Sequence, residues 1–220
     1  MSPKDFSLFE AARRRQPWGA LALVMLSGVA IMRNGAGFES GPPQPTAAAR
    51  PVTRPAGPAP TTADGLGALP FAPASRIRIP AIQVAAPITD VGLDDNGWIA
   101  APPPSDANLA GWYQNGIAPG QRGTSVIVGH VDNMAGPAVF YGLGSLQKGQ
   151  HIEVERYDGR IAVFEIYGVE VYAKNDFPGV QVYADTGSPE LRVITCGGGY
   201  TRAHGYDGNV VVYARLVGSR

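Results

Sequence analysis

HIEVERYDGRIAVFEIYGVEVYA, His151–Ala173, alternates apolar and polar residues on both sides of a Tyr157-Asp158-Gly159 turn. A period of two places alternate side chains on opposite faces of an extended chain, so the stretch reads as two strands joined by a tight turn. The same pattern extends in both directions. RIRIPAIQVAAPI (Arg76–Ile88) alternates and is punctuated by Pro80 and Pro87, and TSVIVGH (Thr124–His130) is a short β-branched run. LRVITC (Leu191–Cys196) and NVVVYARLV (Asn209–Val217) close the chain as two more strands. Helical periodicity is weak, its best candidate a short turn around Ala138–Leu146. Strands broken at close spacing by Gly, Pro and Asp predict an all-β fold, a small barrel or sandwich.

Before Ser75 the chain changes character twice. Arg13, Arg14 and Arg15 precede an uncharged run, Trp18–Met32, and a basic flank before an apolar run reads as a membrane-targeting element with the N-terminus inside. As a helix that run rises only about 22 Å against a hydrocarbon core of roughly 30 Å. A spanning segment would therefore recruit Gln16, Pro17, Arg33 or Asn34. A cleaved signal peptide ending near Gly28 and Ala30 is the competing reading; the single-pass anchor is favoured. Residues 34–74 carry nine prolines among Ala, Gly and Thr, a composition that favours extended conformations and predicts a stalk. The expected organisation is thus a cytoplasmic tail and anchor over 1–33, an extracytoplasmic stalk over 34–74 and a folded head over 75–220. Eighteen basic residues balance eighteen acidic ones, which leaves no global field to collect nucleic acid.

The head contains the chain's one cysteine, Cys196, at the end of an apolar run and before Gly197, Gly198 and Gly199. In an oxidising compartment an unpaired cysteine is either a small buried hydrophobe or a working thiol. Its position, where a strand gives out and glycines let the backbone turn and approach a ligand, favours a nucleophile. A thiol nucleophile needs a proton donor for the leaving amine and a donor for the oxyanion. Of the three histidines, His130 also ends a strand beside a glycine, His151 begins an alternating strand and reads as solvated, and His204 lies beyond the cysteine. His130 is the favoured partner. Arg202 follows the glycines, whereas Arg215 sits within the last strand.

TSVIVGHVDN, GPAVFYGLGSL, RVITCGGGY and NVVVYA together resemble the sortase family, and RIRIPAIQVAAPI resembles the opening strands of its domain. The glycines after the cysteine and DGNVVVYA are most similar to the class F subgroup. The resemblance covers Ile77 to Val217. It implies a closed eight-stranded β-barrel and a cysteine transpeptidase on the outer face of the membrane of Gram-positive cells. Such an enzyme cleaves an LPXTG-like sorting signal between Thr and Gly and joins the acyl half to an amine of a peptidoglycan precursor or a pilin.

On that reading Cys196 attacks as thiolate, His130 as imidazolium protonates the departing amine, and the coupled pair predicts a shallow bell-shaped rate profile. The family's best-known pattern has an arginine near the start of the final strand; here that place falls at Asn209. The oxyanion donor is then Arg202 folded back over the site, or Asn209 as a neutral donor. The better match of a guanidinium to negative charge favours Arg202. An extended apolar peptide is expected beside the cysteine strand, against Lys174–Pro189 with Phe177, Val180, Val182 and Tyr183, residues that would equally serve as a lid over the barrel end. Thr195 is expected to support the site, and Trp98, Trp112 and Tyr113 to pack the core or its rim. No calcium-loop or zinc-ligand spacing is present, so no metal or other cofactor is expected. Two other readings share these residues: a hydrolytic cysteine peptidase without transfer, and a stalked, non-catalytic β-module that binds wall components with Cys196 buried.

Overall fold

The computed structural model describes residues 41–51 and 67–220. The apolar run Trp18–Met32 and residues 52–66 lie outside them. Among the described residues no helix is long and apolar enough to cross a membrane.

Eight strands close into a barrel in the order β1-β2-β3-β4-β9-β10-β8-β7, with β5 and β6 forming a separate small pair. β1 is Ala74–Ile79, β2 Val84–Val91, β3 Ala110–Tyr113, β4 Gly123–Gly129, β5 Asp132–Asn133 and β6 Gly136–Pro137. β7 is His151–Arg156, β8 Ile161–Ala173, β9 Pro189–Thr201 and β10 Gly205–Ser219. The closed barrel decides between the two all-β architectures left open by the strand pattern. Two of its seams, β2 with β3 and β4 with β9, are parallel. The stretch that opened the reading is β7 and β8, paired antiparallel with Ile152 opposite Phe164 and Val154 opposite Ala162.

Its alternation does what a period of two requires. Ile152, Val154, Ala162, Phe164 and Ile166 point into the barrel beside Ile77, Ile79, Trp112, Ile127, Leu191, Val193, Val210 and Val212. The strands around the site are apolar on both faces, because a second cluster of Val126, Val128, Val182, Ile194, Val211 and Tyr213 covers the outside of β4, β9 and β10. The turn anticipated over Ala138–Leu146 is a 3₁₀ turn at Leu143–Ser145.

The folded unit is longer than the head read from composition. Leu69, Ala72 and Ala74 are buried, and the Leu69 amide donates to the Gly120 carbonyl at 2.8 Å. Part of the expected stalk packs as well: residues 41–51 carry a 3₁₀ turn, Ala47–Ala49, whose Ala49 joins the barrel core. Gly144 leaves room for the backbone carbonyl of Pro43, and a Cβ at Gly168 would come within 2.6 Å of Pro51. Small residues that bury little area by themselves dock here because a glycine in the Leu143–Ser145 turn and another in β8 leave room for them.

Arg156 pins this N-terminal edge. Its fully buried guanidinium donates to the carbonyls of Pro119 and Pro70 and pairs with Asp158 at 3.0 Å. Arg156→Met keeps the apolar stem and strands two carbonyls, so it is expected to lower stability by about 2–4 kcal/mol, read as a lower urea midpoint with an unchanged m-value. The Arg156 guanidinium beside Asp158 holds that carboxyl below its ordinary range. The pair's contribution is therefore present at neutral pH and is lost as pH falls through the acid range.

Candidate active site

Side-chain parity assembles the site. On β9, Leu191 and Val193 face the barrel, whereas Ile194 belongs to the outer cluster. Cys196, two residues beyond Ile194, shares the outer face and is half-buried, with a free thiol. On β4, Ile127 faces inward and Val128 outward. His130 follows Val128 by the same step and is also half-buried. Because β4 and β9 are parallel with Val128 beside Ile194, continuing that register brings His130 alongside Cys196. On β10, Asn209 pairs directly with Cys196 and shares the parity of Val211 and Tyr213. Cys196 and Asn209 are thus paired on one face of β9 and β10, and His130, the residue just past the end of β4, continues the row on that face, neighbouring strands being spaced by about 4.8 Å.

Two hydrogen bonds hold the row. Thr195 is buried with its hydroxyl donating to the Gly129 carbonyl at 2.8 Å, so it ties β9 to β4 between the residues that precede the thiol and the imidazole. It supports the site from within the barrel and offers no surface to a peptide. His130 Nε2 lies 2.7 Å from the Pro102 carbonyl oxygen, in the loop between β2 and β3.

The glycines differ from their expected role as a loop. β9 runs through them to Thr201, and β10 returns from Gly205, so they lie in a two-stranded ribbon. A Cβ on Gly197 would meet the Val210 side chain, and one on Gly198 or Gly199 would meet the Asp207 carboxylate. Gly198 also has φ +84°, and the register shifts opposite it between Tyr206 and Gly208. The run serves the close approach of β10 beside the nucleophile strand. Gly198→Ala is expected to cost about 1–3 kcal/mol from its left-handed backbone and to displace the ribbon, read as a lowered melting temperature together with slower alkylation or turnover at Cys196.

That ribbon leans toward the histidine. Tyr206 packs on Tyr200 with ring centroids 5.0 Å apart and the rings tilted at 57°, and its hydroxyl donates to Asp132, two residues beyond His130. Burial and the Asp132 carboxylate push the Tyr206 phenol up from its ordinary value. Arg202 and His204 stand exposed at the ribbon tip, and the structure does not bring the Arg202 guanidinium to the thiol. The reason is geometric: the strand continues past Cys196 and carries Arg202 outward, while Asn209 lies across from it. His151 is exposed at the start of β7, and Arg215 is exposed and paired with Glu165.

The segment expected to wall a peptide groove caps the outer apolar face. It contains a four-residue helix, α1 (Gly179–Val182). Val182 is fully buried and cannot touch a peptide in this conformation, Phe177 and Tyr183 pack partly buried on the same cluster, and Val180 is 94% exposed. Trp98 sits edge-on to Phe177, and Trp112 is buried in the barrel. Beneath the cap lies Arg192, a residue the motif reading passed over. It is 2% exposed, donates from Nε to the Val182 carbonyl at 3.0 Å and pairs with Glu190 at 2.6 Å. Its guanidinium also lies 4.5 Å from the Tyr213 ring centroid. An arginine inside the apolar run LRVITC was the available signal. The Pro102 carbonyl, a backbone group 28 residues from His130, had none.

Comparison with known proteins follows the same residues. The sortase domain family model matches residues 77–217, well over half of the chain. The sortase SrtA from Actinomyces oris is 23% identical over 67% of this chain and 81% of its own, with a TM-score of 0.51. Listeria monocytogenes sortase A gives 15%, 68%, 90% and 0.50 in the same order. For the Group B Streptococcus Pilus Island 1 sortase C2 the values are 18%, 66%, 73% and 0.51. At these identities the solved structures establish the shared barrel. No curated protein matches the chain. The family match covers β2 to β9 and all but the outer ends of β1 and β10, and the chain belongs to the sortase family.

Proposed function

We propose that this chain is a membrane-anchored cysteine transpeptidase, most similar to class F sortases, that cleaves an LPXTG-like sorting signal between Thr and Gly and transfers the acyl half to a cell-wall or pilin amine. The observation that carries the reading is the row of His130, Cys196 and Asn209 on the outer face of β4, β9 and β10. A nucleophile, a proton carrier and a neutral donor on neighbouring rigid strands are the set that acyl transfer needs.

The steps follow from that set. The Cys196 thiolate attacks the Thr carbonyl carbon and forms a C–S bond, while the carbonyl π electrons move to oxygen. Asn209 Nδ2 donates to that oxyanion. As the tetrahedral adduct collapses, the C–N bond breaks and the His130 imidazolium gives its proton to the leaving amine, which leaves a thioester and a neutral imidazole. The incoming amine then attacks the thioester, His130 takes its proton, and the thiolate leaves. Phe177, Tyr183 and Val180 would line the approach of the peptide beside the thiol strand. Membrane attachment through Trp18–Met32 would set the head outside the cytoplasm.

The test is acyl capture and transfer by the full-length chain in detergent, with LPXTG-type peptides and an added amine. Mass spectrometry is expected to find the peptide's acyl half on Cys196, released by hydroxylamine, and an amine-dependent ligation product. Hydrolysis alone, unaffected by a panel of amines, would reduce the enzyme to a peptidase. Absence of any adduct across the panel, with a thiol that alkylates only after unfolding, would leave a non-catalytic wall-binding module.

A further inference from the structure

We propose that the backbone carbonyl of Pro102 is the positioning group of His130, holding the imidazole in the Nε2–H tautomer so that Nδ1 is the nitrogen that exchanges protons with the thiol and the amine. The inference rests on the proposed transfer reaction and adds to it the group that orients its base. A carbonyl oxygen only accepts, so at 2.7 Å from the Pro102 oxygen Nε2 must carry hydrogen. The neutral ring then has its lone pair on Nδ1, which has no protein partner among the described residues.

The loop that presents the carbonyl is built to hold still. Pro102, Pro103 and Pro104 are consecutive, so three φ angles are set by rings and no backbone N–H competes for the site. Pro102 is buried, and its Cδ lies 3.5 Å from where a Cβ on Gly111 of β3 would be. Two residues further, the Pro104 carbonyl accepts from Asn133 Nδ2 at 3.0 Å, so the proline loop grips the His130 segment at two points. Beyond it Asn108 Nδ2 donates to the Ala85 carbonyl of β2 at 3.3 Å. When the ring becomes imidazolium during the reaction, the Nε2–H···O bond turns charge-assisted and keeps the ring in place. A neutral carbonyl thus occupies the role that a carboxylate or amide side chain fills in other nucleophile–histidine pairs.

Two measurements on the full-length chain decide this. With ¹⁵N-labelled histidine, the ring nitrogens of His130, identified by their loss in His130→Gln, are expected to show the Nε2–H tautomer when neutral. The Nδ1–H tautomer would overturn the proposal, and this readout stands even if no peptide is turned over. Second, L-lactic acid in place of Pro103 converts the Pro102 carbonyl from amide to ester, a weaker acceptor. Pro103 is exposed and, as a proline, has no N–H to lose, so the change strips no donor from the loop. Against the Pro103→Ala control, the ester is expected to lower kcat for peptide cleavage about tenfold with KM unchanged, and to shift the tautomer population toward Nδ1–H. Equal kcat and equal ¹⁵N shifts in ester and control would show the carbonyl to be a bystander. A wild-type chain inactive on every peptide would overturn the transfer reading and leave the tautomer result to be judged separately.

Discussion

Cys196→Ala is expected to abolish peptide cleavage and acyl capture, a loss of at least about 10³-fold in kcat, because no other group in the row can form the thioester. The variant should fold normally. Cys196 is half-buried on the outer face, outside the barrel core, and its neighbours Ile194 and Thr195 hold the strand without it. An unchanged urea midpoint beside lost turnover would therefore locate the defect in chemistry. Cys196→Ser is expected to be nearly as silent, since the weak acidity of a hydroxyl leaves it unactivated by a lone imidazole. Residual cleavage by Cys196→Ala above the solvent rate would show that the thiol is not the nucleophile.

The second large effect separates the two oxyanion candidates. Asn209→Ala should lower kcat by about 10²–10³, the cost of removing one preorganised donor, with KM little changed. Arg202→Ala should stay within about twofold, because Arg202 stands exposed at the ribbon tip while Asn209 is paired with Cys196 on the same face. The reverse pattern would mean that the ribbon folds down on substrate and delivers the guanidinium. The Tyr206 to Asp132 bond would then have to break, and Tyr206→Phe would accelerate turnover. Asn209→Asp sharpens the comparison: the shape is kept, but a carboxylate beside the developing oxyanion should be at least as damaging as alanine.

The local choices were legible in the chain because each depends on neighbours in sequence. The alternation across His151–Ala173 dictated two strands, and the β-branched runs ending in His130 and Cys196 dictated two more, since a strand's period is a property of consecutive residues. The rarity of cysteine and histidine narrowed the candidates before any contact was known.

What only the tertiary structure decided are relations between strands far apart in sequence. The parallel register of β4 with β9, continued one step past the end of β4, carries His130 toward Cys196, and the antiparallel register of β9 with β10 pairs Asn209 with Cys196 while Arg202 lies at the ribbon tip. Residues 41–51 read as stalk because proline and alanine bury little alone, yet they dock where Gly144 of the 3₁₀ turn and Gly168 of β8 leave room for them. The glycines after Cys196 read as a sharp turn able to approach a ligand, but their lack of side chains makes room for Val210 and Asp207 on the facing strand. The Pro102 carbonyl had no signal at all, because every residue carries the same backbone carbonyl. Sequence patterns report what a residue's own side chain prefers; which backbone group or neighbouring strand meets it is set by closure of the barrel.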